Sequence, residues 1–163
     1  TNLPNASLKN VETTIDNENN ENTIKEVYYI SKSNSNIYEI MSKTGNIDLE
    51  NPSIILMTSV NAKVTFIDSA PIFITSKFAR YNNDTYETNF FENVLVKHLD
   101  HNIRAESMRV SMENALATLS KNVFYNNPSV KIIADKVEID LLSKDTKIFM
   151  DSSYKKVQII GGK

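Results

Sequence analysis

The stretch VKIIADKVEIDL, residues Val130–Leu141, decides the fold because its apolar side chains alternate with polar ones. Its apolar positions are Val130, Ile132, Val137, Ile139 and Leu141. A period of two is typical of a β-strand with one face buried and the other in water. The same pattern returns in the shorter segments AKVTFID, NVLVKH and VQII. The sequence therefore predicts an all-β, antiparallel protein.

One segment, ESMRVSMENALATLS, also fits a helix, because Met108, Met112 and Leu119 would lie along one helical face. Met108, Val110 and Met112 nevertheless alternate with the period of a strand. We therefore predict two strands in this segment, joined by a turn at Glu113–Asn114.

Composition excludes several classes of function. The chain has 163 residues, no cysteine, three glycines and a formal net charge of −2. Thiolate metal sites and disulfides are excluded, and the scattered lysines do not form the basic patch that nucleic acids require. Residues 1–25 are rich in Asn, Glu and Thr, which predicts a flexible N-terminal arm. Residues 26–163 are predicted to form one domain.

Four segments repeat along the chain, with starts separated by 34, 30 and 29 residues. They are MSKTGNID from Met41, TSKFARYN from Thr75, AESMRVSM from Ala105 and ADKVEIDL from Ala134. Each is followed by a second signature centred on a valine, namely Val60, Val94, Val123 or Val157. A unit this short cannot bury its apolar face alone, so units must stack. We predict an elongated, twisted antiparallel β-jelly roll of about four repeats of about 30 residues, open at both ends.

This repeat pattern resembles the LptC and LptA family of periplasmic bridge proteins that export lipopolysaccharide, and LptC most of all. The residues that carry the resemblance are Tyr38 to Val64, Pro71 to Val96, His101 to Val110 and Val130 to Met150. This chain departs from the GNV motif of the family. Glu92 and Lys121 stand where the family has the glycine, and Ser59 stands where it has the asparagine. A glycine at that position serves turn geometry.

The resemblance implies a function without catalysis or cofactor. It implies a lipopolysaccharide-binding bridge component, which passes lipopolysaccharide from the inner-membrane ABC transporter towards the outer membrane through an apolar β-groove. The implied partners are the jelly-roll domains of the transporter at the N-terminal edge and an LptA-like protein at the C-terminal edge. The implied location is the periplasm, with a tethering membrane helix before Thr1.

Alternation assigns the inward, lipid-binding set of the groove. The set is Ile72, Ile74, Phe78, Phe90, Val94, Val96, Ile103, Met108, Val110, Met112, Leu119, Val123, Ile132, Val137, Ile139, Ile148, Met150 and Val157. We favour Met108, Met112 and Met150 for lipid contact, because flexible thioethers suit a variable ligand. The alternative is that the whole set packs as the closed core of a structural or adhesive β-repeat protein.

Two kinds of surface are further candidates for binding. Exposed sheet edges recruit other strands, and we place the partner edges at Val27 and Tyr29 and at Val157 and Ile159. The cations Lys77, Arg80, Arg104 and Lys136 could meet headgroup phosphates, or simply form solvated faces.

A third hypothesis is a metal-dependent enzyme that uses His98, Asp100 and His101, whose two histidines are the only ones in the chain. The alternation places a turn at Leu99–Asp100, with His98 before the reversal and His101 after it. We therefore expect the two imidazoles not to converge on one ion, and we predict no metal site. No catalytic motif is present in the sequence.

Overall fold

The structure, a computed structural model, describes residues 5–7, 23–33, 35–150 and 158–161. All regular structure in these ranges is β-strand. The strands are β1 (Asn5–Ser7), β2 (Thr23–Ser33), β3 (Asn36–Ile47), β4 (Ile54–Thr65), β5 (Ile72–Asn82), β6 (Glu87–His98), β7 (His101–Ser111), β8 (Leu116–Asn126), β9 (Val130–Asp140), β10 (Thr146–Phe149) and β11 (Gln158–Gly161). They form one open antiparallel sheet in chain order from β1 to β10, and β11 pairs with β9.

The antiparallel all-β prediction is confirmed. The segment that also fitted a helix forms β7 and β8, with the predicted turn between Ser111 and Leu116. The described part of the chain contains no helix long and apolar enough to span a membrane.

The repeated segments occupy equivalent strands. The four first signatures lie in β3, β5, β7 and β9, and Val60, Val94 and Val123 lie in β4, β6 and β8. Val157, the centre of the fourth valine signature, lies outside the described residues. The hairpins β3–β4, β5–β6 and β7–β8 thus each hold one pair of signatures.

A row of residues with positive φ crosses the strands near their middles. These residues are Glu26 in β2, Ser59 in β4, Glu92 and Asn93 in β6, and Lys121 and Asn122 in β8, with φ between 53° and 64°. The strand pairing skips or shifts at each of them. The pairing keeps its register across Glu26 and Ser59 and changes register at the irregularities of β6 and β8. Register shifts of this second kind, β-bulges, bend a strand. The aligned irregularities, which we call the bend row, therefore bend the sheet along one line.

The sheet bends so far that its apolar face packs against itself. Tyr38 in β3 donates a hydrogen bond of 2.9 Å to Thr88 Oγ1 in β6. In the strand register, Glu39 is level with Lys97, which lies nine residues from Thr88 along β6. A flat sheet would hold these groups about 30 Å apart along the strand. The contact therefore requires the sheet to fold over along the bend row.

The bend row divides the sheet into two facing layers. The first layer holds the C-terminal halves of β2, β4, β6 and β8 and the N-terminal halves of β3, β5, β7 and β9. The second layer holds the other halves and β10. Tyr29 of the first layer stacks on Tyr81 of the second, with ring centroids 4.8 Å apart.

The core lies between the layers and excludes water. Phe90 and Leu119 have 0% of their surface exposed. Burial raises the pKa values of Tyr38 and Tyr81, because a buried phenolate loses its hydration. The apolar area removed from water on this face is the main stabilising contribution to the fold.

Phe78 lies on the outer face, so its prediction as an inward residue was wrong. Ala79 and Tyr81 are buried, at 0% and 2% exposure, and alternation then directs Phe78 outwards. There its ring stacks on Phe91 with centroids 5.5 Å apart, and Lys77 Nζ lies 5.0 Å from the Phe78 centroid. The register shift just before Phe78 moves the alternation by one residue, which the sequence prediction did not include.

The two predicted edges differ in how far other strands cover them. Val27 and Tyr29 of β2 are buried, and within the described residues β1 pairs with only Ile30–Lys32. At the other end, β10 and β11 both pair with β9, so the outermost described strands are four residues long. Ile159 belongs to β11, whereas Val157 lies outside the described residues.

Part of the predicted N-terminal arm belongs to the sheet. Asn5–Ser7 forms β1, and β2 begins at Thr23, ahead of the domain start predicted at residue 26. The rest of the predicted arm lies outside the described residues.

The bend row gives a stability prediction. Lys121→Gly is expected to raise the free energy of unfolding by about 0.5 to 1 kcal/mol, because glycine adopts positive φ without the strain that a Cβ causes. Lys97→Gly, on an exposed β6 position without positive φ, is expected to lower it by about 0.5 to 1 kcal/mol. Urea denaturation followed by circular dichroism measures both changes, and two changes of the same sign would contradict the prediction.

Candidate functional site

An apolar cavity of about 390 Å³ opens between the two layers towards the C-terminal end of the sheet. Cavities of about 300 to 1,000 Å³ are the size class of small-molecule sites. Its lining residues are Phe66, Ile72, Val96, His98, His101, Ile103, Val123, Tyr125, Ile132, Ala134, Val137, Ile139, Asp140, Leu141, Lys144, Thr146 and Ile148. Most of them carry aliphatic or aromatic side chains, so the cavity favours an apolar ligand.

The two layers are offset from each other by three strands. This offset, which we call the stagger, explains the position of the cavity. The Tyr29–Tyr81 and Tyr38–Thr88 contacts join a first-layer strand to the second-layer strand three places later, β2 to β5 and β3 to β6. Continued along the sheet, this offset places the first-layer half of β7 opposite β10. The first-layer halves of β8 and β9 then have no facing strand among the described residues. Their inward side chains Val123, Tyr125, Ile132 and Ala134 line the cavity.

Eight residues of the predicted groove line this cavity. They are Ile72, Val96, Ile103, Val123, Ile132, Val137, Ile139 and Ile148. Seven others are buried core, and Met150 packs against that core. The seven are Ile74, Phe90, Val94, Met108, Val110, Met112 and Leu119. Four of the eight cavity-lining residues, Val96, Ile103, Val123 and Val137, also belong to the buried core, so cavity wall and core overlap and share one alternation.

The methionines favoured for lipid contact lie away from the cavity wall. Met108 and Met112 are 2% and 5% exposed, and both belong to the central hydrophobic cluster. Met108 lies in β7 and Met112 in the turn that follows it, and neither lines the cavity. A residue's place along the stagger, rather than its flexibility, therefore decides whether it reaches the cavity.

Sequence reasoning missed several wall residues. Phe66 extends the alternation of AKVTFID, and Tyr125 follows the valine signature NVFY by two positions, so both carried a detectable inward signal. Leu141, Lys144 and Thr146 line the cavity from the turn between β9 and β10 and from β10 itself. Turn residues have no periodicity, so alternation could not identify them.

The two histidines lie side by side on one face of the sheet. His98 and His101 are paired across the β6–β7 hairpin, their ring centroids are 6.3 Å apart, and both line the cavity. The predicted turn at Leu99–Asp100 is confirmed. A two-residue turn between antiparallel strands places the residues before and after it on the same face, so the chain reversal does not separate the two rings.

Each histidine has a hydrogen-bonding neighbour from another element. His101 Nδ1 lies 2.5 Å from the Tyr125 hydroxyl, and His98 Nε2 lies 3.4 Å from Ser69 Oγ. Asp100 Oδ1 lies 3.5 Å from His101 Nε2. No group of three or more His, Cys, Asp or Glu side chains suited to a metal ion occurs within the described ranges.

The four cations suggested for headgroup phosphates do not line the cavity. Lys77 pairs with Glu92 at 3.2 Å on the outer face, and Lys136 pairs with Glu138 at 3.0 Å. Arg80 and Arg104 are exposed. The cation that does line the cavity is Lys144.

Comparisons with known proteins give no family for this chain. No protein-family model matches it, and no curated protein matches it either.

Proposed function

We propose that this protein binds lipopolysaccharide through its acyl chains and passes it along the apolar inner face of the sheet, without catalysis. The single observation that carries the proposal is the open cavity between the layers, whose wall is mainly aliphatic. An acyl chain offers only apolar surface, so its affinity comes from the area it removes from water. Ile103, Ile132 and Ile139 provide such area on both layers.

The finer fold proposed here is a twisted β-jelly roll of four repeats. The placement of the four repeated segments in alternate strands supports it. In this proposal the protein is an LptC-like bridge component, held at the inner membrane in the periplasm. The N-terminal edge along β2 receives the jelly-roll domains of the transporter, and the edge at β10 and β11 receives an LptA-like protein.

The competing function is a structural or adhesive protein with a closed core. Seven predicted groove residues are indeed closed core, which fits that alternative in the centre of the molecule. The cavity favours lipid binding over it, because a purely structural protein gains nothing from leaving apolar walls uncovered.

A crosslinking experiment tests the proposal. A photo-reactive amino acid at Ile132, which lines the cavity, is expected to capture lipopolysaccharide on irradiation. The same amino acid at Ile133 is the matched control, because this neighbour has the same side chain but points to the outer face and is 39% exposed. Equal capture at both positions, or capture at neither, would overturn the proposal.

A further inference from the structure

Polar groups from both layers gather at one end of the cavity. His98 and His101 lie on its first-layer wall, with ring planes inclined by 22°. Ser69, beside His98, belongs to the loop after β4. Lys144 comes from the second-layer turn after β9, and its Nζ lies 4.9 Å from the Phe66 ring centroid. Both layers therefore contribute polar groups to this end.

The direction of the hydrogen bond between Tyr125 and His101 depends on whether His101 is protonated. Asn127 Nδ2 donates to the Tyr125 hydroxyl oxygen at 3.0 Å, so the hydroxyl proton is available to His101 Nδ1. Neutral His101 then carries its proton on Nε2, towards Asp100. When Nδ1 gains a proton, it donates to the Tyr125 oxygen, and the hydroxyl proton is released to point elsewhere. Protonation of His101 thus adds a positive charge and frees one donor.

Seven titratable groups belong to the strands and loops that form this end of the cavity. They are Asp68, His98, Asp100, His101, Tyr125, Asp140 and Lys144. Asp140 accepts from the backbone N–H groups of Ser143 and Leu142, which lowers its pKa and directs its carboxylate to its own turn. Of the charged groups, Lys144 and Asp140 line the cavity and offset each other at high pH. A protonated imidazole carries a positive charge, so protonation of His98 and His101 makes the cavity wall cationic.

We propose that this end of the cavity binds the anionic head of an amphiphile whose chain fills the apolar part, and that acid strengthens the binding. His98 and His101 supply the charge that depends on pH, and Lys144 supplies a constant one. Tyr125 supplies the released donor. The inference rests on the proposed function, because it names the polar end of the same site, and it identifies a phosphate-like or sulfonate-like head as the chemistry recognised.

Nuclear magnetic resonance of the two imidazoles tests this directly, since the chain has no other histidine. The probes are octane-1-sulfonate, which stays charged throughout, octan-1-ol, which has the chain alone, and methanesulfonate, which has the anion alone. Octanesulfonate is expected to raise both imidazole titration midpoints by about 0.5 to 1 pH unit. By reciprocity the two shifts together make it bind roughly ten- to fiftyfold more tightly at pH 5.5 than at pH 8. Octanol and methanesulfonate are expected to leave the midpoints within about 0.2 pH unit of the free protein.

A His98→Gln/His101→Gln variant is the control, read by calorimetry. It is expected to bind octanesulfonate equally at both pH values, whereas the parent protein binds it more tightly in acid. If the parent protein bound octanol and octanesulfonate with the same affinity at both pH values, this inference would be overturned and the proposed function would stand. Methanesulfonate raising the midpoints as far as octanesulfonate would also overturn it, because the site would then be one for free anions. Binding of neither chain-bearing probe would overturn the proposed function as well.

Discussion

Phe90→Ala is expected to lower the free energy of unfolding by about 3 to 5 kcal/mol, the range typical of a large aromatic side chain removed from a tight core. Phe90 is 0% exposed and lies on the second layer of β6, in register with Ala79 and Met108. The opposite layer covers it, so the lost ring leaves a cavity that the rigid sheet cannot close. A large loss also tests the folded-over sheet, since one layer alone would leave this side chain in water.

The matched control is Phe91→Ala, one residue further along the same strand. Phe91 is 37% exposed and contacts Phe78 on the outer face. Its removal is expected to cost only about 0.5 to 1.5 kcal/mol, the usual value of an aromatic pair. Urea denaturation of both variants by circular dichroism gives the two values on one scale. Similar losses for Phe90→Ala and Phe91→Ala would show that the assignment of the faces is wrong.

Gly45→Ala is expected to destabilise the protein by about 1 to 3 kcal/mol through overpacking. A Cβ on Gly45 would lie 2.7 Å from Val27 Cγ2 and 3.1 Å from Ile55 Cγ2. Gly45 does not have positive φ, so its lack of a side chain serves close approach rather than backbone freedom. Val27 needs this space because β2 enters the core immediately after Glu26, where φ is positive and the pairing with β3 is interrupted.

A double-mutant cycle identifies the cause of that loss. In a Val27→Ala background the methyl group that meets the new Cβ is gone, so adding Gly45→Ala is expected to cost at least about 0.5 kcal/mol less than in the parent. Asn46→Ala, at the exposed neighbouring position, is expected to change stability by no more than about 0.5 kcal/mol. Strictly additive losses from the Val27 and Gly45 changes would reject the steric explanation.

The strands themselves could be predicted from the sequence, because alternation depends on near neighbours. Val130 to Leu141 contains the strand β9, and the turn between Met108 and Leu119 follows from the same pattern. The bulges were harder to predict. In β9 the buried residues pass from Ala134 to Val137, an odd step that marks the bend row, yet an isolated strand does not show that the neighbouring strands bend at the same line.

The site could be predicted only in part, because it depends on which half-strands lack a facing layer. Val94 and Ile132 show the same alternation, but Val94 is 1% exposed in the core while Ile132 lines the cavity. The stagger that separates them arises from contacts between residues about 50 positions apart, such as Tyr38 and Thr88. The approach of His98 to His101, by contrast, depends on residues close together in the sequence, because it follows from the two-residue turn at Leu99–Asp100.

Because the bend row crosses β2 through β8, every hairpin of the sheet contributes to both layers at once. Duplication or deletion of one hairpin therefore changes the length of the molecule by about 10 Å, two strand spacings, and leaves the cross-section of its interior the same. The length of the molecule and the width of its interior are thus independent properties of this architecture. Natural or engineered variants can span different distances while their interiors accept ligands of the same width.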